Sequence, residues 1–255
     1  MALAIVNTRA RVGMNAPLVT VEVHLSNGLP AFNIVGLPDA AVRESKERVR
    51  SAILNSEFDF PQRRITINLA PADLPKDGGR FDLPIAIGIL AASEQIPLGA
   101  LEHVEFVGEL ALSGALRPVE GVLTAAIATC DAQRSLFVPQ ANAEEAAVPR
   151  NSKVFACGHL LQVCGQLKQP TSGEAYQPTL LPDTAQLDEY PDLADVKGQH
   201  QAKRALEVAA AGKHNLLMMG PPGAGKSMLA ARLPGILPPM TDQEMIETAA
   251  IHSVS

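Results

Sequence analysis

Gly220-Pro221-Pro222-Gly223-Ala224-Gly225-Lys226-Ser227 fits the pattern G-x-x-x-x-G-K-[ST] at every fixed position. Glycine accepts the positive φ angles that let a loop wrap with successive N–H groups turned inward. A helix starting at the loop adds the positive end of its dipole, so the segment is built to hold an anion. A lysine at the seventh place reaches the β- and γ-phosphates of a nucleoside triphosphate. The hydroxyl of the eighth residue can enter the shell of a magnesium ion. Gly220 to Ser227 is therefore the candidate cofactor site, with ATP and Mg2+ as the expected ligands and Ser227 as the metal-binding hydroxyl.

Such a loop carries weight only between a strand and a helix. His214 to Met219 is short and apolar and reads as the strand. Met228, Leu229 and Leu233 give the following helix an apolar face, and the Pro234 to Pro239 stretch ends it. Thr241, with Glu244 three residues on, is the signature of a capping box opening one more helix. Upstream, the alanine-rich run from Gln199 to Ala211 reads as a helix.

Lys168 to Tyr190 has a different character. Pro170, Gly173, Pro178 and Pro182 interrupt it and no apolar period is sustained, so it reads as a linker. The expected organisation is 1–167 as one domain, 168–190 as a linker and 191–255 as the nucleotide-binding part.

Residues 1–167 read as mixed α and β. Val19, Val21, Val23 and Leu25 alternate with polar residues, and Asn27-Gly28 suggests a tight hairpin returning through Phe32 and Ile34. A helix follows Pro38-Asp39 with Val42, Val49 and Ile53 on one face. Ile65, Ile67 and Leu69 form another alternating strand, and a turn-rich loop from Pro71 to Arg80 leads into an apolar helix with Asp82 as its cap. Further strands are expected at Val104 to Leu110, Leu136 to Val138 and Val154 to Ala156. Helices are expected at Glu120 to Cys130, Asn142 to Ala147 and Leu160 to Leu167.

Composition narrows the function classes. Of the 255 residues, 47% are hydrophobic and 19% charged, which suits a globular protein of about two domains. No apolar run approaches the ~20 residues of a membrane helix. The opening MALAIVNTRARVG is broken too early by Arg9 and Arg11 to read as a secretory signal, so a cytoplasmic location is expected. Cys130, Cys157 and Cys164 are odd in number and lack zinc or redox spacing, and read as small core residues. The six histidines show no metal-ligand spacing. The net charge is −6, shared evenly between the parts before and after Lys168, and does not advertise nucleic acid.

Asp195-Val196-Lys197-Gly198-Gln199 ahead of a helix, with GPPGAGKS beyond, is similar to the opening of an AAA+ ATPase domain. More narrowly, Asn33-Ile34-Val35-Gly36-Leu37-Pro38-Asp39 with Arg43-Glu44-Ser45 resembles the magnesium-chelatase-like ComM/YifB family of bacterial AAA+ proteins. Asn68 to Asp73, Arg232 to Pro238 and the final Ile251 to Ser255 carry the same resemblance. It implies an α/β protein: an α+β N-terminal domain with the Lon-protease (S5-like) fold, then the start of an AAA+ α/β domain. It also implies that Val196 and Gly198 lie near the adenine, that the complete protein assembles as a ring, with a hexamer expected, and that its ATP-driven motor acts on branched or single-stranded DNA during transformation. A chelatase-like motor acting on a protein or metal-insertion partner is the alternative.

Lon-type peptidases carry their nucleophile in a Pro-Lys-Asp-Gly-Pro-Ser segment. Here Pro75-Lys76-Asp77-Gly78-Gly79-Arg80 stands in its place, so Arg80 occupies the serine position. Past Gly108-Glu109 and Gly114, Leu123 falls where the general-base lysine belongs. A hydroxyl nucleophile needs a base within reach, and both members are replaced. No peptidase chemistry is expected, and no catalytic residue is assigned in this chain.

For DNA, the basic residues Arg43, Lys46, Arg48 and Arg50 have acidic neighbours: Glu44 can pair with Arg48, and Glu47 with Arg43 or Arg50. Lys76 and Arg80, flanking Gly78-Gly79 in a loop, are the better candidates for phosphate contact. Only 28 residues follow Ser227 here, without a hydrophobic strand ending in Asp-Glu, so residues 1–255 by themselves are expected not to hydrolyse ATP.

Overall fold

The computed structural model describes residues 2–169, 175–176 and 190–253. Most of the expected linker, 170–174 and 177–189, and the last two residues of Ile251 to Ser255 therefore lie outside the described residues. The chain divides into two units, Met1–Thr179 with Ile246–Ser255, and Leu180–Met245.

The first unit is built on a seven-stranded mixed sheet. Its strands are β1 (Ala2–Arg9), β2 (Leu18–Ser26), β3 (Ala31–Val35), β4 (Arg64–Ala70), β5 (Val104–Phe106), β8 (Ser135–Pro139) and β9 (Lys153–Cys157), in the order β3-β4-β2-β1-β5-β8-β9. The pairs β1–β2 and β2–β4 are antiparallel and the other four are parallel. A two-stranded ribbon, β6 (Glu109–Leu110) with β7 (Leu116–Arg117), stands beside it. The expected strand from Val104 to Leu110 is thus two strands, parted at Val107-Gly108.

The helices of this unit are α1 (Ala40–Asn55), α2 (Asp82–Ala92), α3 (Val122–Asp131), α4 (Ala143–Ala146) and α5 (Leu160–Lys168). Asp39 caps α1 by accepting the Val42 N–H at 2.7 Å, and Val42, Val49, Ala52 and Ile53 form its buried face. All eleven residues of α2 are buried, as expected for a helix apolar all round. Its Leu83, Ile85, Ile87, Ile89 and Leu90 are fully buried, which contributes on the order of 10 kcal/mol before ordering costs. Residues of α1, α2 and α5 share one core with β1, β2 and β4. Val122, Ala125 and Ala126 of α3 pack on Leu136, Val138 and Val154 in a second. Phe137 belongs to the first core and its neighbours Leu136 and Val138 to the second, so β8 is covered on both faces.

Two expectations need correction here. Asn27-Gly28 does not close a hairpin between β2 and β3: β4 lies between them, antiparallel to β2 and parallel to β3. Inserting β4 buries Ile65, Ile67 and Leu69 on the core face, which a direct β2–β3 pairing would leave unmatched. Asp82 is not the cap of α2 either. It is the first helical residue, wholly buried, and its carboxylate receives Arg48 Nε at 2.7 Å, Arg48 Nη2 at 3.1 Å and the Leu110 N–H at 3.3 Å. Arg48 therefore pairs with Asp82 rather than with Glu44.

The second unit holds α6 (His200–Gly212), α7 (Lys226–Ala230) and the start of α8 (Asp242–Ser253). Leu193, Val196, Leu206 and Leu229 form its small apolar cluster, with Met218, Leu233 and Ile236 packed against it. His214 to Met219 forms no strand, contrary to expectation. A strand exists through hydrogen bonds to neighbours, and none of the described residues pairs with this segment. Leu217 and Met219 are 83% and 84% exposed, an apolar segment without the sheet that would cover it.

Candidate functional site

Glycine conformation shapes the loop in front of α7. Gly223 and Gly225 have φ of 80° and 82°, the left-handed region that favours glycine. Nothing lies within 4 Å of where a Gly223 side chain would start, so the concavity faces open space. At Gly225 an added Cβ would meet Gln199 Nε2 at 2.9 Å, and the same amide donates to the Ala224 carbonyl at 3.4 Å. Gln199, just ahead of α6, thus braces the loop, which the sequence did not announce.

Lys226, the first residue of α7, folds its side chain back over the loop. Its Nζ donates to the Gly220 and Pro221 carbonyls, both at 2.9 Å. The ammonium is held by two neutral acceptors rather than by a carboxylate, so no ion pair has to be broken for an anion to claim it. Ser227 follows on the exposed side of the same turn. These residues fit a nucleoside triphosphate with magnesium: glycines in left-handed conformation, a neutral-partnered lysine and an exposed serine. Pro221, Pro222 and Ala224 complete the exposed loop.

Val196 is buried in the cluster that includes Leu229 of α7, while Gly198 has a φ of 69° in the turn ahead of α6. Both are thus close in the chain to elements that carry the loop. At the N-terminus of α8, Thr241 Oγ1 accepts the Glu244 N–H at 3.3 Å and Glu244 Oε2 accepts the Thr241 N–H at 2.9 Å, the expected capping box. Glu244 also pairs with Lys213, which with the Thr241 bonds holds its carboxyl down at about 2.

In the first unit, the loop from Pro71 to Gly79 is largely exposed, yet its two expected phosphate-binding cations turn inward. Lys76 is 2% exposed and donates Nζ to the Pro71 carbonyl, and burial lowers its pKa. Arg80 is 5% exposed and donates Nη2 to the Glu120 carbonyl at 3.2 Å. Neither cation is presented at the surface, where a phosphate backbone would meet it. Leu123, at the lysine position of the peptidase pattern, is buried at the start of α3.

The remaining ionisable clusters of this unit are structural. Glu105 on β5 is buried and receives Arg9 Nε at 2.6 Å, Thr129 Oγ1 at 2.7 Å, Arg9 Nη2 at 2.8 Å and Arg134 Nη1 at 3.1 Å. Burial pushes the Cys157 and Cys164 thiols up to about 12, which suits core residues. Among the described residues no group of His, Cys, Asp and Glu could hold a metal, and no helix is long and apolar enough to cross a membrane.

A model of subunit ChlI of magnesium chelatase matches residues 21–142, and a second, magnesium chelatase subunit ChlI, matches residues 192–255. The chain is 53% identical over 254 residues to the uncharacterized protein YifB of Salmonella typhimurium. It is 53% identical over 258 residues to the competence protein ComM of Haemophilus influenzae. This chain belongs to the magnesium-chelatase-like ComM/YifB family. An uncharacterized Mycobacterium bovis protein is 42% identical over 246 residues, or 95% of the chain. The alignments with YifB and ComM run the whole length of the chain, so both units are family features. The chain spans about half the length of these relatives. Membership gives the mixed α/β build and the chelatase-like character.

Proposed function

We propose that this chain carries the N-terminal domain and the nucleotide-binding start of an ATP-driven ring motor. Residues 1–167 form a Lon-like domain without its peptidase dyad, 168–190 link it, and 191–255 open the AAA+ domain. The observation that supports this best is the Gly220–Ser227 loop, with its left-handed Gly223 and Gly225 and its Lys226 bound only to carbonyls. In this reading Lys226 engages the β- and γ-phosphates of ATP and Ser227 the Mg2+, while Val196 and Gly198 lie beside the adenine. Bound nucleotide supplies the energy of a conformational cycle in a ring, with a hexamer as the expected form.

The substrate we propose is DNA, in branched or single-stranded form, with the protein acting as a helicase or branch-migration factor in competence, in the cytoplasm. The support is the likeness to a protein named for competence. With Lys76 and Arg80 turned inward, any phosphate contact by the first unit would fall to exposed cations such as Arg43, Arg63 and Arg64. A chelatase-like motor acting on a protein or metal-insertion partner is the competing reading, supported by the family models. An ATPase assay on the complete protein, with and without branched DNA, tests it. Several-fold stimulation by branched DNA is expected, and hydrolysis indifferent to DNA contradicts the DNA reading.

A further inference from the structure

A cavity of about 250 Å³ opens on the first unit where the peptidase pattern would place its nucleophile. Arg11, Asp77, Gly79, Arg80, Glu109 and Glu120 contribute to its wall. Arg80 is the unusual member. It is more than nine-tenths buried, among the described residues the one hydrogen bond of its side chain goes to a neutral carbonyl, and its Nε is fully buried without a protein acceptor. Among the described residues it forms no ion pair. The nearby carboxylates are engaged elsewhere: Glu120 takes Arg11 at 2.7 Å, Glu109 takes Arg117 at 3.5 Å, and Asp77 lies 4.0 Å from Arg11.

A buried cation with no carboxylate within ion-pair distance is costly to keep, since the more distant charges of Asp77 and Glu145 offset its burial only in part, and an incoming anion relieves it. Burial, and then the like charge of Arg11, push the Arg80 guanidinium down to about 10. Both arginines line the cavity, and a guanidinium presents parallel N–H donors that match the two oxygens of a carboxylate. The acidic groups Asp77, Glu109 and Glu120 on the same wall oppose a doubly charged phosphate more than a singly charged ligand. Gly79 keeps the wall open for Glu109, since an added Cβ there would lie 2.3 Å from its Oε2.

We propose that this cavity is a carboxylate-binding site, in which Arg80, assisted by Arg11, receives one free carboxylate from a small molecule or a peptide terminus. The site is independent of the nucleotide loop and stands whether or not that loop binds ATP.

The test is a titration of residues 1–255, followed through the Arg80 Nε–H resonance, with four probes: acetate, N-acetyl-dialanine, its C-terminal amide and inorganic phosphate. Carboxylates are expected to shift the resonance saturably, and the amide is not. Tighter binding of the peptide acid than of acetate identifies a chain terminus as the source, and equal binding a small carboxylate. Arg80→Gln is expected to weaken binding at least about tenfold, and Arg11→Gln several-fold. Should Arg80→Gln fail to fold, the parent titration and Arg11→Gln decide. An unmoved Arg80 resonance, phosphate binding as tightly as the carboxylates, or a folded Arg80→Gln that binds like the parent would each overturn the proposal.

Discussion

Asp82 and Arg80 lie two residues apart, and burial acts on them in opposite senses. Asp82 is held by Arg48, yet burial outweighs the pairing and raises its carboxyl from 3.8 to about 6. A folded pKa above the unfolded one means that the fold binds an extra proton between roughly pH 4 and 6. This group therefore adds stability as the pH falls through that window, on the order of 3 kcal/mol in full. Denaturant midpoints of the parent and Asp82→Asn at pH 7 and pH 4.5 should show the parent gaining on the variant at the lower pH. A difference independent of pH removes that account. Arg80 marks a limit of reading residues alone. Its place in a Gly-rich loop was legible, but not its direction, because a long side chain can turn inward while its backbone stays at the surface.

At the scale of elements, α2 lies so close to the sheet that only glycine fits at one position. A Cβ on Gly88 would stand 2.5 Å from Val23 Cγ2. Gly88→Ala should destabilise the first unit by about 1–3 kcal/mol in spite of its better helix propensity. Thermal unfolding checks this, and a higher midpoint in the variant contradicts the packing. Strands with strict alternation, β2 and β4, were legible in the sequence, and so was the cap of α8. β1 was not, because Leu3 and Ile5 on its exposed side are as apolar as Ala4 and Val6 on its buried side. The order of strands escaped too, since local turn chemistry at Asn27-Gly28 competed with the long-range burial of β4. His214 to Met219 has the composition of a strand but lacks neighbours. Its amides should exchange quickly in residues 1–255 while those of β2 and β4 are protected, and equal protection would show that a strand forms after all.

For the whole molecule, the family resemblance read from separated segments agrees with 53% identity to two relatives along the entire chain. Residues 1–167 should fold alone and cleave no peptide, since Arg80 and Leu123 offer neither nucleophile nor base. Turnover of an unfolded substrate, abolished by a serine-directed acylating reagent, would show the dyad to be elsewhere. The nucleotide loop is legible from eight residues, and its geometry follows from two glycines and a lysine. The most direct test is an equilibrium titration of residues 1–255 with a fluorescent ATP analogue at fixed magnesium, beside Lys226→Ala. Saturable binding weakened about tenfold or more in the variant is the expected result, and equal affinity of the two proteins would contradict the assignment.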